Sequence, residues 1–238
     1  MKKTLVQEIQ DKLKTIHVAG TNGKGSICAL TESILRNAGY RTGMYTSPFL
    51  QIYHERIRIN GRPVEDEIIS EAGTMLFDAV DHLNTVKEHY FTPFELGTAL
   101  AFLIFKMQKI DIAVVEVGLG GRFDATNVLR HVSVSAIGAI GMDHMQYLGN
   151  TQEEIAFEKA GIMKTGTAVV CHPASDSVKQ VFRDVAETKG ARLIQTEPGM
   201  ISVIQTDEKG SMADFNCPGI SMKHLYVSLP GQHQLTNA

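Results

Sequence analysis

Thr15-Ile16-His17-Val18-Ala19-Gly20-Thr21-Asn22-Gly23-Lys24-Gly25-Ser26 is the stretch whose reading decides the fold. The short apolar run of Ile16, Val18 and Ala19 predicts a buried strand that stops at Gly20. Beyond it, Ile27, Leu30, Ile34 and Leu35 recur at helical spacing, so a helix is expected to begin near Lys24. Three glycines and a lysine fall within the six residues 20–25 that join the two elements. Such a turn suits an anion. Glycines let backbone N–H groups converge, the helix N-terminus adds partial positive charge, and a lysine supplies a point charge for β/γ-phosphates. The general phosphate-loop pattern G-x-x-x-x-G-K-[ST] is met only in part, because Val18 takes the first glycine slot and Gly25 the hydroxyl slot. A flexible turn with an incidental lysine is the competing reading, and the glycine density argues against it.

Working outward, residues 1–14 are polar and read as a short helix or a loose end. The helix from about 24 to 38 ends at Gly39, and 42–46 is a short strand. The stretch 47–64 reads as a long loop or hairpin with its turn at Asn60-Gly61. A helix is expected from Val64 to about His82, with Ile68, Ile69, Ala72, Leu76 and Val80 inward. Phe91-Thr92-Pro93-Phe94-Glu95 opens a strongly apolar helix over 96–107. The near-continuous apolar run Asp111–Val117 marks a central parallel strand covered on both faces. A second glycine-rich loop follows at 118–121, then strands at 132–137, 167–171 and 192–195 with helices at 151–159 and 175–189. From Gly199 short alternating strands and turns appear, and the chain closes without an obvious terminal element. Together these predict an α/β, three-layer P-loop-type domain with a mostly parallel sheet, plus a small antiparallel β appendage near the C-terminus. Its ligand is expected at the carboxyl ends of the strands.

Composition fits that class. Of 238 residues, 43% are hydrophobic and 21% charged, as in a globular domain with a real core, and a net charge of −3 offers no basic field for nucleic acid. Cys28, Cys171 and Cys217 form no C-x-x-C pair, which suits a cytoplasmic setting without disulfides. Charge returns too soon after Met1 for a signal-peptide core, and no apolar run is long enough to span a membrane.

Several side chains could carry chemistry. Glu116, an acid inside an apolar strand, is costly unless paired or metal-bound; it reads as a magnesium ligand or as the partner of Arg122 or Lys24. His144 could be a metal ligand, a structural histidine or an exposed one. Lys159, with carboxylates around it on its helix, reads by default as a solvated ion pair. The loop 118–121 lacks the third glycine of a dinucleotide fingerprint, and neither a nucleophile elbow nor zinc spacing is present.

Six stretches resemble one family. They are His17–Ser26, Tyr45-Thr46-Ser47-Pro48-Phe49-Leu50, Phe91–Glu95, Glu116–Asn127, and Asp143-His144 with Glu158-Lys159-Ala160-Gly161-Ile162. In this order they resemble the folylpolyglutamate synthase / dihydrofolate synthase branch of the Mur ligase superfamily. The resemblance implies that 1–238 is a central ATP-binding domain, with an α/β core over about 15–198 and the appendage over 199–230. It implies that Gly20, Thr21, Asn22, Gly23, Lys24, Gly25 and Ser26 cradle ATP phosphates. Asn237 is then an adenine-side contact, and Ser47, Glu116 and His144 hold Mg2+, with two metal sites expected. Lys159 resembles the family's carbamylated lysine, so Lys24, His144 and Lys159 form the catalytic set. Thr92, Pro93, Phe94, Glu95 and Asp124 resemble the contacts to the pterin substrate. The implied reaction joins L-glutamate to dihydropteroate or a folate through an acyl phosphate, in a cytoplasmic monomer. Three departures stand out. The family continues into a smaller C-terminal ligase domain expected to be absent from this chain, so ligase turnover by it alone is not expected; the family carries a longer N-terminal segment, and Phe157 sits where a small residue is usual. The competing functions are a nucleotide-binding module without ligation and a Mur-type ligase acting on a UDP-muramyl precursor.

Overall fold

The computed structural model describes residues 13–85, 90–172, 175–197 and 199–238. The expectation for 1–14 therefore lies almost wholly outside the described residues.

β1 (Thr15–Ala19) leads through the glycine turn to α1 (Lys24–Asn37) and β2 (Thr42–Tyr45). A hairpin follows, β3 (Ile57–Ile59) and β4 (Arg62–Pro63), entered through a 3-10 turn at Tyr53–Arg56. Its two-residue turn is Asn60-Gly61, with φ of 48° and 77°. Positive φ at both central residues gives the twist that matches paired strands, as the Asn-Gly pair predicts. α2 (Asp66–Asn84) and α3 (Pro93–Met107) come next, then β5 (Ile112–Glu116) and β6 (Val132–Ile137). The rest of the core is α4 (Met145–Leu148), α5 (Gln152–Ala160), β7 (Ala168–Cys171), α6 (Asp176–Lys189) and β8 (Arg192–Gln195).

Among the described residues, eight strands form one sheet in the order β4-β3-β2-β5-β1-β6-β7-β8. The five pairs β2–β5, β5–β1, β1–β6, β6–β7 and β7–β8 are parallel, whereas β2–β3 and β3–β4 at one edge are antiparallel. β1 thus lies between β5 and β6 at the point where the strand order reverses. In such sheets the crevice past the carboxyl end of that strand takes the ligand.

Side-chain alternation assigns the layers. Ile16 and Val18 face α1 and pack with Cys28, Ile27 and Leu35. On the opposite face, α3 packs Leu100, Ala101, Phe102, Leu103, Ile104 and Phe105 against Tyr45, Ala113 and Val115. With so many sides buried, α3 gains its stability from this packing, at about 1.5–3 kcal/mol per large apolar side chain. On that same face Ile155, Ala156, Ala160, Val178 and Phe182 of α5 and α6 cover Val117, Ile137 and Val169.

β9 (Ile201–Asp207), β10 (Gly210–Cys217) and β11 (Ile220–Val227) form the separate antiparallel sheet. One sequence expectation fails beyond it: the chain does not close in irregular structure but in a short helix, α7 (His233–Asn237). Leu235 anchors α7 against Ala213 and Val227. A helix of five residues is too short for a periodic signal in sequence.

Candidate active site

The turn after β1 is latched to the segment after β6. The Thr21 amide donates to Ala139 O (2.8 Å), and the Thr21 hydroxyl donates to Gly141 O (3.2 Å) while accepting from the Gly141 amide (3.0 Å). Two glycines are required by geometry. Gly20 (φ 150°) lies so close to Gly138 that a Cβ would press on its backbone, and Gly23 (φ 80°) sits under the Asn237 side chain. Gly23 is the N-cap of α1, with no side-chain cap and no acid in the first turn. By contrast Thr92, Thr151 and Ser175 cap α3, α5 and α6 through their hydroxyls. The first amides of α1 are therefore left open to an anion. Lys24 folds back over the turn, its Nζ donating to Thr21 O (3.2 Å).

Glu116 ends β5 beside Val18 of β1 and is 5% exposed. The suggested pairing with Arg122 is not formed: Arg122 instead lies 3.7 Å from Glu158 and stacks on the Phe123 and Phe157 rings. Phe157 thus works as one side of an aromatic clamp on Arg122. Glu116 Oε2 accepts from the Ser47 amide at 3.0 Å, which brings the 46–50 loop onto the strand end. Burial pushes the Glu116 carboxyl up, while the Ser47 hydrogen bond and the Lys24 charge pull it back.

Lys24, His144 and Lys159 meet in one small polar cavity, walled by Gly20, Thr21, Gly118–Gly120 and Asp143. His144, at the start of α4, has a half-exposed ring whose Nε2 is 3.6 Å from Asp143. The solvated reading of Lys159 is wrong. It is 4% exposed and donates to Gly20 O at 3.0 Å. Its position on the inner face of α5, among Ile155, Ala156 and Ala160, turns it away from the carboxylates of its own helix. Burial, and then the Lys24 charge, lowers its pKa to about 8. Below that pH both folded and unfolded chains hold the proton, and folding bears the whole penalty. Between about 8 and 10.5 only the unfolded chain holds it, so this lysine's contribution improves as pH rises. Lys159→Met is accordingly expected to stabilise the protein at pH 7 by about 1–3 kcal/mol, read by urea denaturation. A loss of stability would mean that a partner compensates the buried charge.

A second cavity, of about 400 Å³, opens on the other side of the 118–121 loop and is lined by Thr92, Phe94, Glu95, Phe123 and Asp124. Four of the five residues expected at the substrate converge here. Pro93 instead occupies the first turn of α3. Thr92 and Glu95 form a capping box, the Glu95 amide donating to the Thr92 hydroxyl (3.2 Å) and the Thr92 amide to Glu95 Oε2 (2.8 Å). The Thr92 amide and hydroxyl hold the Glu95 carboxyl below its ordinary range. A third cavity, of about 510 Å³, lies between the main sheet and the small one; apolar side chains dominate its walls, and Ile27, Gly138 and Asn237 line it on the side of the glycine turn.

The Mur ligase middle domain model matches residues 18–238. This chain belongs to that family. The Mur ligase middle domain seen here is 40% identical over 233 residues to the dihydrofolate synthase/folylpolyglutamate synthase of Bacillus subtilis, covering 96% of this chain and 54% of that protein. A solved FPGS–AMPPCP–folate complex superposes with a TM-score of 0.91 at 33% identity, over 99% of this chain and 58% of the other. Mycobacterium tuberculosis folylpolyglutamate synthase complexed with ADP gives 0.89 at 33% identity, over 98% and 54%. The chain spans about half the length of these relatives. They bear out both the branch that the motifs resemble and the α/β architecture.

Sequence reasoning missed the Thr21–Gly141 latch and the part Asp143 plays in the cavity wall. It also missed a buried chain through His17 and Thr126. None of these carries a signal in spacing, because each joins residues about 110–120 positions apart.

Proposed function

We propose that this domain binds ATP with Mg2+ and serves an amide ligation in which L-glutamate is joined to dihydropteroate or a folate. The observation that carries the reading is the convergence of an uncapped helix N-terminus, Lys24, Lys159 and His144 on one cavity. That cavity shares the 118–121 loop with a roomier one holding Thr92, Phe94, Glu95 and Asp124. In this reading the substrate carboxylate attacks the γ-phosphorus and ADP leaves. The glutamate amine then attacks the acyl phosphate, and phosphate departs as the amide forms.

The residues divide the work. The α1 amides and Lys24 hold phosphate oxygens and neutralise their charge, which is most of what phosphoryl transfer asks of a protein. The donor set suits Mg2+: the Glu116 carboxylate, the Ser47 hydroxyl and His144. Among the described residues, no three His, Cys, Asp or Glu side chains could hold a metal by themselves. Mg2+ fits that circumstance, since it keeps waters and draws ligands from substrate phosphates. Bound there, the ion would supply charge neutralisation at the phosphate oxygens. Asn237, whose side chain sits over Gly23, would serve as the adenine-side contact.

A lysine with a pKa near 8 has a usable neutral fraction at pH 7.5. Its amine can add CO2, forming an N–C bond and releasing one proton, and the carbamate anion replaces a cation that repels Lys24. Adding 13C-bicarbonate at pH 8 is expected to give one carbamate signal that is missing in Lys159→Met; equal signals in both proteins would refute the assignment.

The ligase reading is tested by ADP release from this domain fused to the remaining length of the Bacillus subtilis relative. Release that needs both L-glutamate and dihydropteroate or folate supports it. Release without glutamate would favour a module that does not ligate, and release with a UDP-muramyl substrate a sibling ligase.

A further inference from the structure

Opposite Ile16 and Val18, β1 points His17 into the core, where it is fully buried. Its Nε2 is 2.8 Å from the Thr126 hydroxyl, while its Nδ1 has no hydrogen-bond partner among the described residues. The hydroxyl has one proton, and it goes to Asp124 Oδ1 at 2.5 Å. His17 must then be the donor to Thr126, which fixes the neutral Nε2–H tautomer and leaves a bare lone pair at Nδ1. Burial, with the Lys164 charge nearby, lowers the His17 pKa to about 3 and agrees with a neutral ring.

The chain continues outward. Asp124 Oδ1 also accepts from the Thr126 amide (2.9 Å), and Oδ2 accepts from the Leu119 amide (2.8 Å). Leu119 and Gly120 line both the phosphate-side cavity and the roomier one, so this loop is the wall between them. We infer that His17 is a positioning residue: through Thr126 it orients the Asp124 carboxylate and pins the wall that separates the two cavities. The strand that carries the phosphate turn thereby also sets the far side of the partition. A directional row of donors polarises each bond in turn and holds one arrangement. What the wall divides, nucleotide from the carboxylate substrate that accepts the phosphoryl group, rests on the proposed function; the pinning itself does not.

The test needs no ligand, so it can fail separately from the ligase reading. Nitrogen-15 spectra of histidine-labelled protein are expected to show His17 as the Nε2–H tautomer, unchanged from pH 5 to 8. His17→Leu removes the donor, whereas His17→Gln can place an N–H near the Nε2 position. In His17→Leu the Leu119 and Thr126 amides should exchange with solvent about tenfold faster, with the β1, β5 and β6 amides unchanged; His17→Gln should restore the slow rates. A purely structural role would speed exchange across the strands alike. Should His17→Leu not fold, Thr126→Val breaks the same chain and takes its place. An Nδ1–H tautomer, a ring that titrates between pH 5 and 8, or Leu119 exchange indifferent to these substitutions would overturn the assignment.

Discussion

Lys24→Ala is expected to weaken nucleotide binding about 100-fold and to leave the fold intact. One charge-assisted contact is worth about 1.5–3 kcal/mol, and each 1.4 kcal/mol is a tenfold change in affinity. The native structure draws little from this side chain, whose amine hydrogen-bonds among the described residues to a turn carbonyl, Thr21 O. Two neighbours would register the loss. Lys24 lowers the pKa of Lys159 and opposes the upward push on Glu116, so both groups should titrate higher in the variant. Isothermal calorimetry with a non-hydrolysable ATP analogue, alongside thermal unfolding, checks both halves. Unchanged affinity would count against the phosphate loop, and collapse of the fold would make the lysine structural.

Glu116→Gln is the second large effect, and it separates stability from function. The carboxylate is buried at a strand end, where burial already disfavours its charged form. A neutral amide of the same shape keeps a carbonyl oxygen for the Ser47 amide and removes the desolvated charge. Stability should therefore hold or rise by about 1 kcal/mol. Affinity for the magnesium–nucleotide complex should fall about 100-fold, while affinity for the metal-free nucleotide changes little. If the two affinities fell alike, Glu116 would be serving the loop's shape and not a metal.

How far the sequence reaches depends on the kind of interaction. β1, α1 and β5 were legible because apolar spacing and glycine punctuation are local signals, and Asn60-Gly61 announced its hairpin for the same reason. Lys159 was not legible from its own neighbourhood. Glu153, Glu154 and Glu158 share its helix, yet the lysine turns inward to Gly20, 139 residues earlier. Only the family resemblance pointed to it. The same resemblance gathered Thr92, Phe94, Glu95 and Asp124, and the fold does bring them to one cavity. His17 escaped both routes. Within an apolar strand it looks like filler, and its meaning appears only when Thr126 and Asp124 are seen in line behind it.

The claim that a triphosphate and its metal sit between the α1 N-terminus and the end of β5 can be met head-on. A crystal structure of this domain with a non-hydrolysable ATP analogue and Mg2+ should show β- and γ-phosphate oxygens on the Gly23–Gly25 amides and Lys24, with the ion reached by Ser47, Glu116 and His144. A nucleotide lodged elsewhere, or a metal that leaves Glu116 untouched, would contradict the account.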